Sequence, residues 1–203
     1  MFRQNLATGA GGQVSLAASF GLLDSTLRVG VDATTADHDA TITNPNNAMF
    51  RVDNFVAVER DVSSLFAEWQ RDGEYGDIEI GLRAKRVAVD AGEVGTSGMM
   101  GSMGDNVAML ADAFNAADRK QSWDSVDAVV KYRVQAESGM EWRVELGSKT
   151  RAPSYQELFL WLPLQATGGL ADGRSYIGGL DLDEERSNEI MIGFGKDMGR
   201  FTI

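Results

Sequence analysis

The chain has 203 residues, with 19 Lys and Arg against 30 Asp and Glu, no Cys and a single His. A net charge of −11 without any Lys/Arg run argues against a nucleic-acid partner, and the missing Cys excludes thiol chemistry, disulfides and Cys/His zinc sites. No stretch reaches the ~18 consecutive apolar residues of a membrane helix, the start lacks the apolar core of a signal peptide, and 23 Gly with only 3 Pro suit strands and turns.

In chain order, period-two alternation first appears at Gln13–Phe20 and again at Thr26–Thr35, where Leu27, Val29, Val31 and Ala33 share one face. A short link, Leu22–Ser25, joins the two, and a long connection, Ala36–Asp61, follows. The next strand, Val62–Arg71, sets Leu65, Ala67 and Trp69 against Phe66, Glu68 and Gln70. After a turn at Asp72–Gly76 comes Asp77–Lys85, with Ile78, Ile80, Leu82 and Ala84 opposite Glu79, Gly81, Arg83 and Lys85. Within the second long connection, Asp90–Gln121, only Asn106–Asp118 reads as a short helical turn. Val126 to Val134 and Glu141 to Lys149 repeat the design around a turn at Ala136–Met140, the second with Trp142, Val144 and Leu146 facing away from Glu141, Arg143, Glu145 and Lys149. A third long connection, Arg151–Glu185, leads to Arg186–Lys196, a turn at Asp197–Arg200 and a further strand at Phe201–Ile203.

About eight strands thus form an antiparallel all-β meander whose connections alternate short and long. Unstructured loops of ~25–35 residues are improbable in a compact domain. In an outer-membrane β-barrel they are expected, with short turns at the periplasmic rim and long loops outside. Trp69, Tyr132 and Trp142 lie on the apolar face near short turns, where an aromatic girdle belongs. Two other readings share this periodicity: a complete small eight-stranded outer-membrane barrel acting as anchor or adhesin, and a soluble β-rich binding protein.

The run Gly147-Ser148-Lys149-Thr150-Arg151-Ala152-Pro153-Ser154-Tyr155-Gln156-Glu157-Leu158 resembles a barrel motif of TonB-dependent outer-membrane receptors, in which a strand ends in a TR-x-PSY-x-EL element. The segment from Gly178-Gly179-Leu180 through Glu185-Arg186-Ser187-Asn188-Glu189 is similar to the family's return into the next strand, with Gly179 where Asn is common. Asn44–Phe50 and Phe114–Arg119 look similar to loop segments of a metal-receptor branch. The resemblance implies a bacterial outer-membrane receptor and transporter rather than an enzyme. Its expected partners are outer-membrane lipid, a metal or metal chelate such as siderophore-iron or copper, and the TonB–ExbB–ExbD complex acting through a plug domain. Family barrels have about 22 strands, so residues 1–203 are expected to be a partial barrel without the plug and the remaining strands. No bound cofactor and no catalytic constellation are expected.

Pro153 has no N–H and a fixed φ, so the strand before it should stop near Arg151. The apolar run Leu158-Phe159-Leu160-Trp161-Leu162 beyond it reads either as a packed loop core over the barrel mouth or as a wall for an apolar ligand. Tyr155, Trp161, Arg174 and Tyr176 are candidate groups for holding an iron chelate. Met99, Met100, Met103 and Met109 are soft thioethers that would select Cu(I), or else belong to a flexible spacer. His38, between Asp37 and Asp39, is a candidate metal ligand or a solvated side chain. The charged strand faces are expected to pair across neighbouring strands.

Overall fold

A computed structural model describes residues 4–99, 102–136, 139–167 and 169–196. Seven long strands form one antiparallel sheet in the order β1(Gln4–Leu22), β2(Ser25–Asn44), β3(Asn47–Arg71), β4(Asp77–Asp90), β6(Gln121–Gln135), β7(Met140–Arg151), β10(Glu185–Lys196). The short β5(Gly95–Ser97) pairs with β3 as the eighth member. The connections carry α1(Ser102–Ala116), α2(Tyr155–Phe159) and a separate hairpin of β8(Leu170–Ala171) and β9(Arg174–Ser175). The sheet is a meander, open between β1 and β10. The expected strand Phe201–Ile203 and turn Asp197–Arg200 lie outside the described residues.

Register places the expected faces together. Leu16, Val31, Leu65, Ala84 and Val126 form one cross-strand row, and Val130, Leu146 and Ile190 belong to another on the same face. The opposite face carries the charges, joined across strands as Arg28–Glu68 (3.0 Å), Asp32–Arg83 (3.3 Å), Glu79–Lys131 (2.9 Å) and Asp77–Arg133 (2.7 Å). Exposed pairs of this kind contribute only ~0–1 kcal/mol each. What they do is satisfy charged groups on a face that must stay wet. Phe66 sits among them over Gly30, where a Cβ would overlap its ring, and lies between the guanidinium groups of Arg28 and Arg83 at 5.3 and 5.4 Å.

The connection expected at Ala36–Asp61 is not a loop. Strands β2 and β3 continue through it to a tight turn at Pro45 and Asn46. Alternation persists there with the opposite sense: Ala40, Ile42, Val52, Phe55 and Val58 are buried on the face that carries the charges lower down. The same reversal occurs within β4, where Arg83 and Lys85 give way to buried Val87 and Val89 on one face while Arg86 follows Ala84 on the other. Three register shifts between β2 and β3 hid this continuation, since an extra residue breaks period two. At one of them Ala57 has φ 42°, its N–H donates to Asp39 Oδ1 (2.8 Å), and the Val56 carbonyl accepts from Gly92 N (2.8 Å).

Other bounds also moved. The strand expected at Gln13–Phe20 spans Gln4–Leu22, and the helical turn expected at Asn106–Asp118 is the fifteen-residue α1. Buried Val107, Ala111 and Phe114 recur at helical spacing along it and join the core. Strand β7 ends at Arg151, just before Pro153. If Leu82 lies at a membrane midplane, Leu82→Arg should cost ~2–4 kcal/mol of folding stability. The shift of the urea unfolding midpoint in lipid vesicles measures it.

Candidate functional site

The upper β2–β3 hairpin and the two long connections pack together at one end of the sheet and fill the face beside it. Their shared core contains Ile42, Val52 and Phe55 of the tall hairpin, Val107 and Phe114 of α1, and the run Leu158 to Leu162. Phe114 meets Phe159 edge-on at 6.4 Å, which ties the second connection to the third. Asn115 holds the chain before α1 by a reciprocal pair of 2.9 Å bonds to Val94 N and O. Arg119 closes the far side through the carbonyls of Ala91, Phe114 and Asn115.

After β7 the chain turns inward. Arg60 Nη1 of β3 donates to the Pro153 carbonyl (2.9 Å), and Ser154 starts α2 with a capping box in which Glu157 reaches back to the Ser154 N–H (2.7 Å). The guanidinium of Arg151 forks onto both Glu157 oxygens (2.8 and 3.0 Å) and also meets Glu185 of β10 (2.9 Å). Arg151, with help from the Ser154 N–H, holds the Glu157 carboxyl down to about 2. Because the folded value lies below the ordinary carboxylate value, the stabilisation is complete above about 4.5 and fades as pH falls toward 2.

The candidate residues are sorted clearly by this packing. His38 and Tyr155, far apart in sequence, come together at 4.8 Å between ring centroids, with Phe55 against both at 5.7 and 5.1 Å. His38 and Tyr155 are half-buried and Phe55 is buried, and the three lie at the upper end of the face that carries the charges. Trp161 is only 2% exposed and its Nε1 donates to the Asp53 carbonyl (3.1 Å), so it serves the loop core. Arg174 and Tyr176 are exposed. Tyr176 borders a cleft of about 580 Å³ with Arg151, Glu157, Leu160, Ile177 and Leu182. Met99 packs against the core, Met109 is exposed on α1, Met103 belongs to the first turn of α1, and Met100 lies outside the described residues. Among the described residues no group of three or more His, Asp or Glu is arranged to hold a metal ion. Sequence inspection missed Arg60, Ile177 and Leu182, which carry no local pattern and gain their place only through long-range packing.

No family model matches the chain, and neither does any curated protein. Solved structures do match. The "Copper transporter OprC" superposes over 97% of this chain and 28% of its own, with a TM-score of 0.65 at 19% identity. A double mutant of the Serratia marcescens hemophore receptor HasR, in complex with its hemophore HasA and heme, covers 96% of this chain and 30% of its own, with a TM-score of 0.57 at 18% identity. These neighbours are TonB-dependent receptors. The fold is that of a segment of their barrel wall. The chain spans less than a third of either structure, and at such identity the likeness establishes the fold alone. Both neighbours are outer-membrane transporters or receptors rather than enzymes. Among the described residues no helix is long and apolar enough to cross a membrane, which leaves crossing by strands open.

The Arg151–Glu157 tie yields a pH test. The unfolding midpoint of the parent chain should fall more than that of Glu157→Gln between pH 5 and pH 2. Parallel curves would mean that the fork contributes nothing.

Proposed function

We propose that the chain forms part of the wall of an outer-membrane receptor barrel that takes up a metal or metal chelate. The observation that carries this reading is the reversal of the two faces along continuous strands. In the lower section the exposed apolar face needs lipid and the charged face needs water. Above it, the outward face becomes polar and the inward face packs against loops. The apolar section of β6, Val126 to Val134, matches the ~9–11 residues that a tilted strand needs to cross a bilayer, whereas β3 runs for 25 residues. More than half of β3 therefore stands above the membrane as a wall for the mouth.

In this reading the plug and the TonB complex act through parts of the protein beyond this segment. The support for a chelate held as a whole, rather than bare Cu(I) on thioethers, is the His38–Tyr155–Phe55 group beside the mouth together with the packing of Met99 into the core. The copper and heme systems named for the structural neighbours are both compatible with metal uptake.

The four tryptophans test the membrane placement. Trp69 and Trp142 are on the apolar face, Trp123 packs against the loop core from the other face, and Trp161 is buried. Brominated lipids should quench single-Trp variants retaining Trp69 or Trp142 and spare those retaining Trp123 or Trp161. Equal quenching of all four would overturn the placement. For the cargo, replacing Met99, Met100 and Met103 together with Leu should leave Cu(I) affinity unchanged. A loss of tenfold or more would instead establish a thioether copper site.

A further inference from the structure

Strands β6 and β7 part at Ala128 and Ser148, although both continue, β6 up to Gln121 against β4 and β7 up to Arg151 against β10. The backbone of Thr150 shows what the ladder lacks. Its N–H donates to Asp127 Oδ1 (2.7 Å) and its carbonyl accepts from Lys85 Nζ, so both groups face β6. Backbone groups alternate sides along a strand, so Ser148 faces β6 as well, and Ala128, Val126 and Asp124 face β7. Continued by two residues, the ladder would join Val126 to Thr150 through both N–H···O bonds. In the parted arrangement the β7-facing groups of Val126 and Asp124 have no ladder partner, and side chains serve Thr150 in their place.

The two arrangements are closely matched. When parted, Asp127 accepts from the N–H and the hydroxyl of Thr150 and pairs with Lys85 at 2.9 Å. In the continued ladder the Thr150 N–H meets the Val126 carbonyl, the Val126 N–H meets the Thr150 carbonyl, and Lys149 comes directly opposite Asp127. Lys149 is available for that pair, since its side chain is 56% exposed and its contact with Glu189 is a long 4.0 Å. Lys85, only 16% exposed, is committed to the parted state. One cation thus stabilises each state, Lys85 the parted one and Lys149 the zipped one.

The break also controls the aromatic group. Beyond Arg151, Ala152 packs into the loop core, the Pro153 carbonyl accepts from Arg60, and Tyr155 rests on His38. Zipping brings Arg151 opposite Ser125 and Ala152 opposite Asp124, which takes Ala152 out of the core and draws Tyr155 off His38. We propose that the top of β7 is a strand switch: parted from β6 it holds Tyr155 over His38, and zipped onto β6 it opens the His38–Tyr155–Phe55 group to solute. The role in uptake rests on the receptor reading above, whereas the switch itself rests on register and hydrogen bonding.

The chain has no Cys and a single His, which supplies two reporters. The full 203-residue chain is folded into maltoside micelles. With Asp124→Cys and Ala152→Cys, the rate of disulfide formation reports zipping; without them, the rate at which diethyl pyrocarbonate modifies His38 reports its uncovering. Losing a charge-assisted bond shifts a two-state equilibrium by about tenfold or more, so Lys85→Met should raise both rates by about that factor. Lys149→Met, which removes an exposed partner of the zipped state, should lower both about twofold, and adding it to Lys85→Met should bring the rates back down. Equal rates in the parent and Lys85→Met overturn the switch, as does a rise with Lys149→Met, which would mean general loosening. If Lys85→Met does not fold, the exposed Lys149→Met decides, and unchanged rates there overturn the switch. Cross-linking that responds while His38 modification does not overturns the coupling to the aromatic group. A parent chain that gains no β-structure in micelles overturns the membrane reading, whereas a folded chain with unresponsive rates overturns this proposal alone.

Discussion

The structure depends on one constraint: strands β2, β3 and β4 exchange the character of their two faces part-way along their length, and each section needs a different covering. Around Leu82 and Val130 the apolar face is solvated only if lipid covers it, and the face of Arg83 and Lys131 needs water. Around Ile42 and Val87 the relation is reversed, because packed loops now occupy the inner side. Strand pairing is indifferent to the reversal, since backbone hydrogen bonds lie in the plane of the sheet. A single set of continuous strands therefore serves as wall below and as scaffold above.

The transition is marked by polar groups that take over where strand pairing stops. The β6–β7 ladder ends at Ala128 and Ser148, although β6 continues to Gln121 against β4 and β7 continues to Arg151 against β10. Asp127 fills the break. Its Oδ1 accepts from both the N–H (2.7 Å) and the hydroxyl (2.6 Å) of Thr150, while Lys85 pairs with its other oxygen at 2.9 Å. A side chain thus replaces the missing ladder bonds and lets β7 lead the chain inward toward Pro153.

That inward turn builds the mouth. The Arg60–Pro153 bond and the Trp161–Asp53 bond both run from the third connection to β3, over sequence separations of 93 and 108 residues. They bring Tyr155 against His38 and put the run around Phe159 out of reach of solvent. The aromatic surface that remains accessible is small, so any solute held there must also be met by groups from elsewhere around the mouth.

The lower halves of the strands, their antiparallel order, the two long connections after β4 and β7, and the stop before Pro153 were legible in the residues alone, whereas the long loop expected at Ala36–Asp61 was not there. The legible features are local: period two, turn chemistry and a missing N–H are written in a few neighbouring residues. Ala36-Asp37-His38-Asp39-Ala40-Thr41-Ile42-Thr43 alternates as plainly, yet its apolar face is small and the register shifts against β3 destroy the matching pattern in its partner. The upper hairpin therefore could not be read as strand. Which face of each upper strand is covered was not legible there, because it depends on α1 and the Leu158–Leu162 run arriving from distant parts of the chain. The same holds for the meeting of His38 with Tyr155, since α2 is brought to β2 and β3 only by the long-range bonds of the third connection.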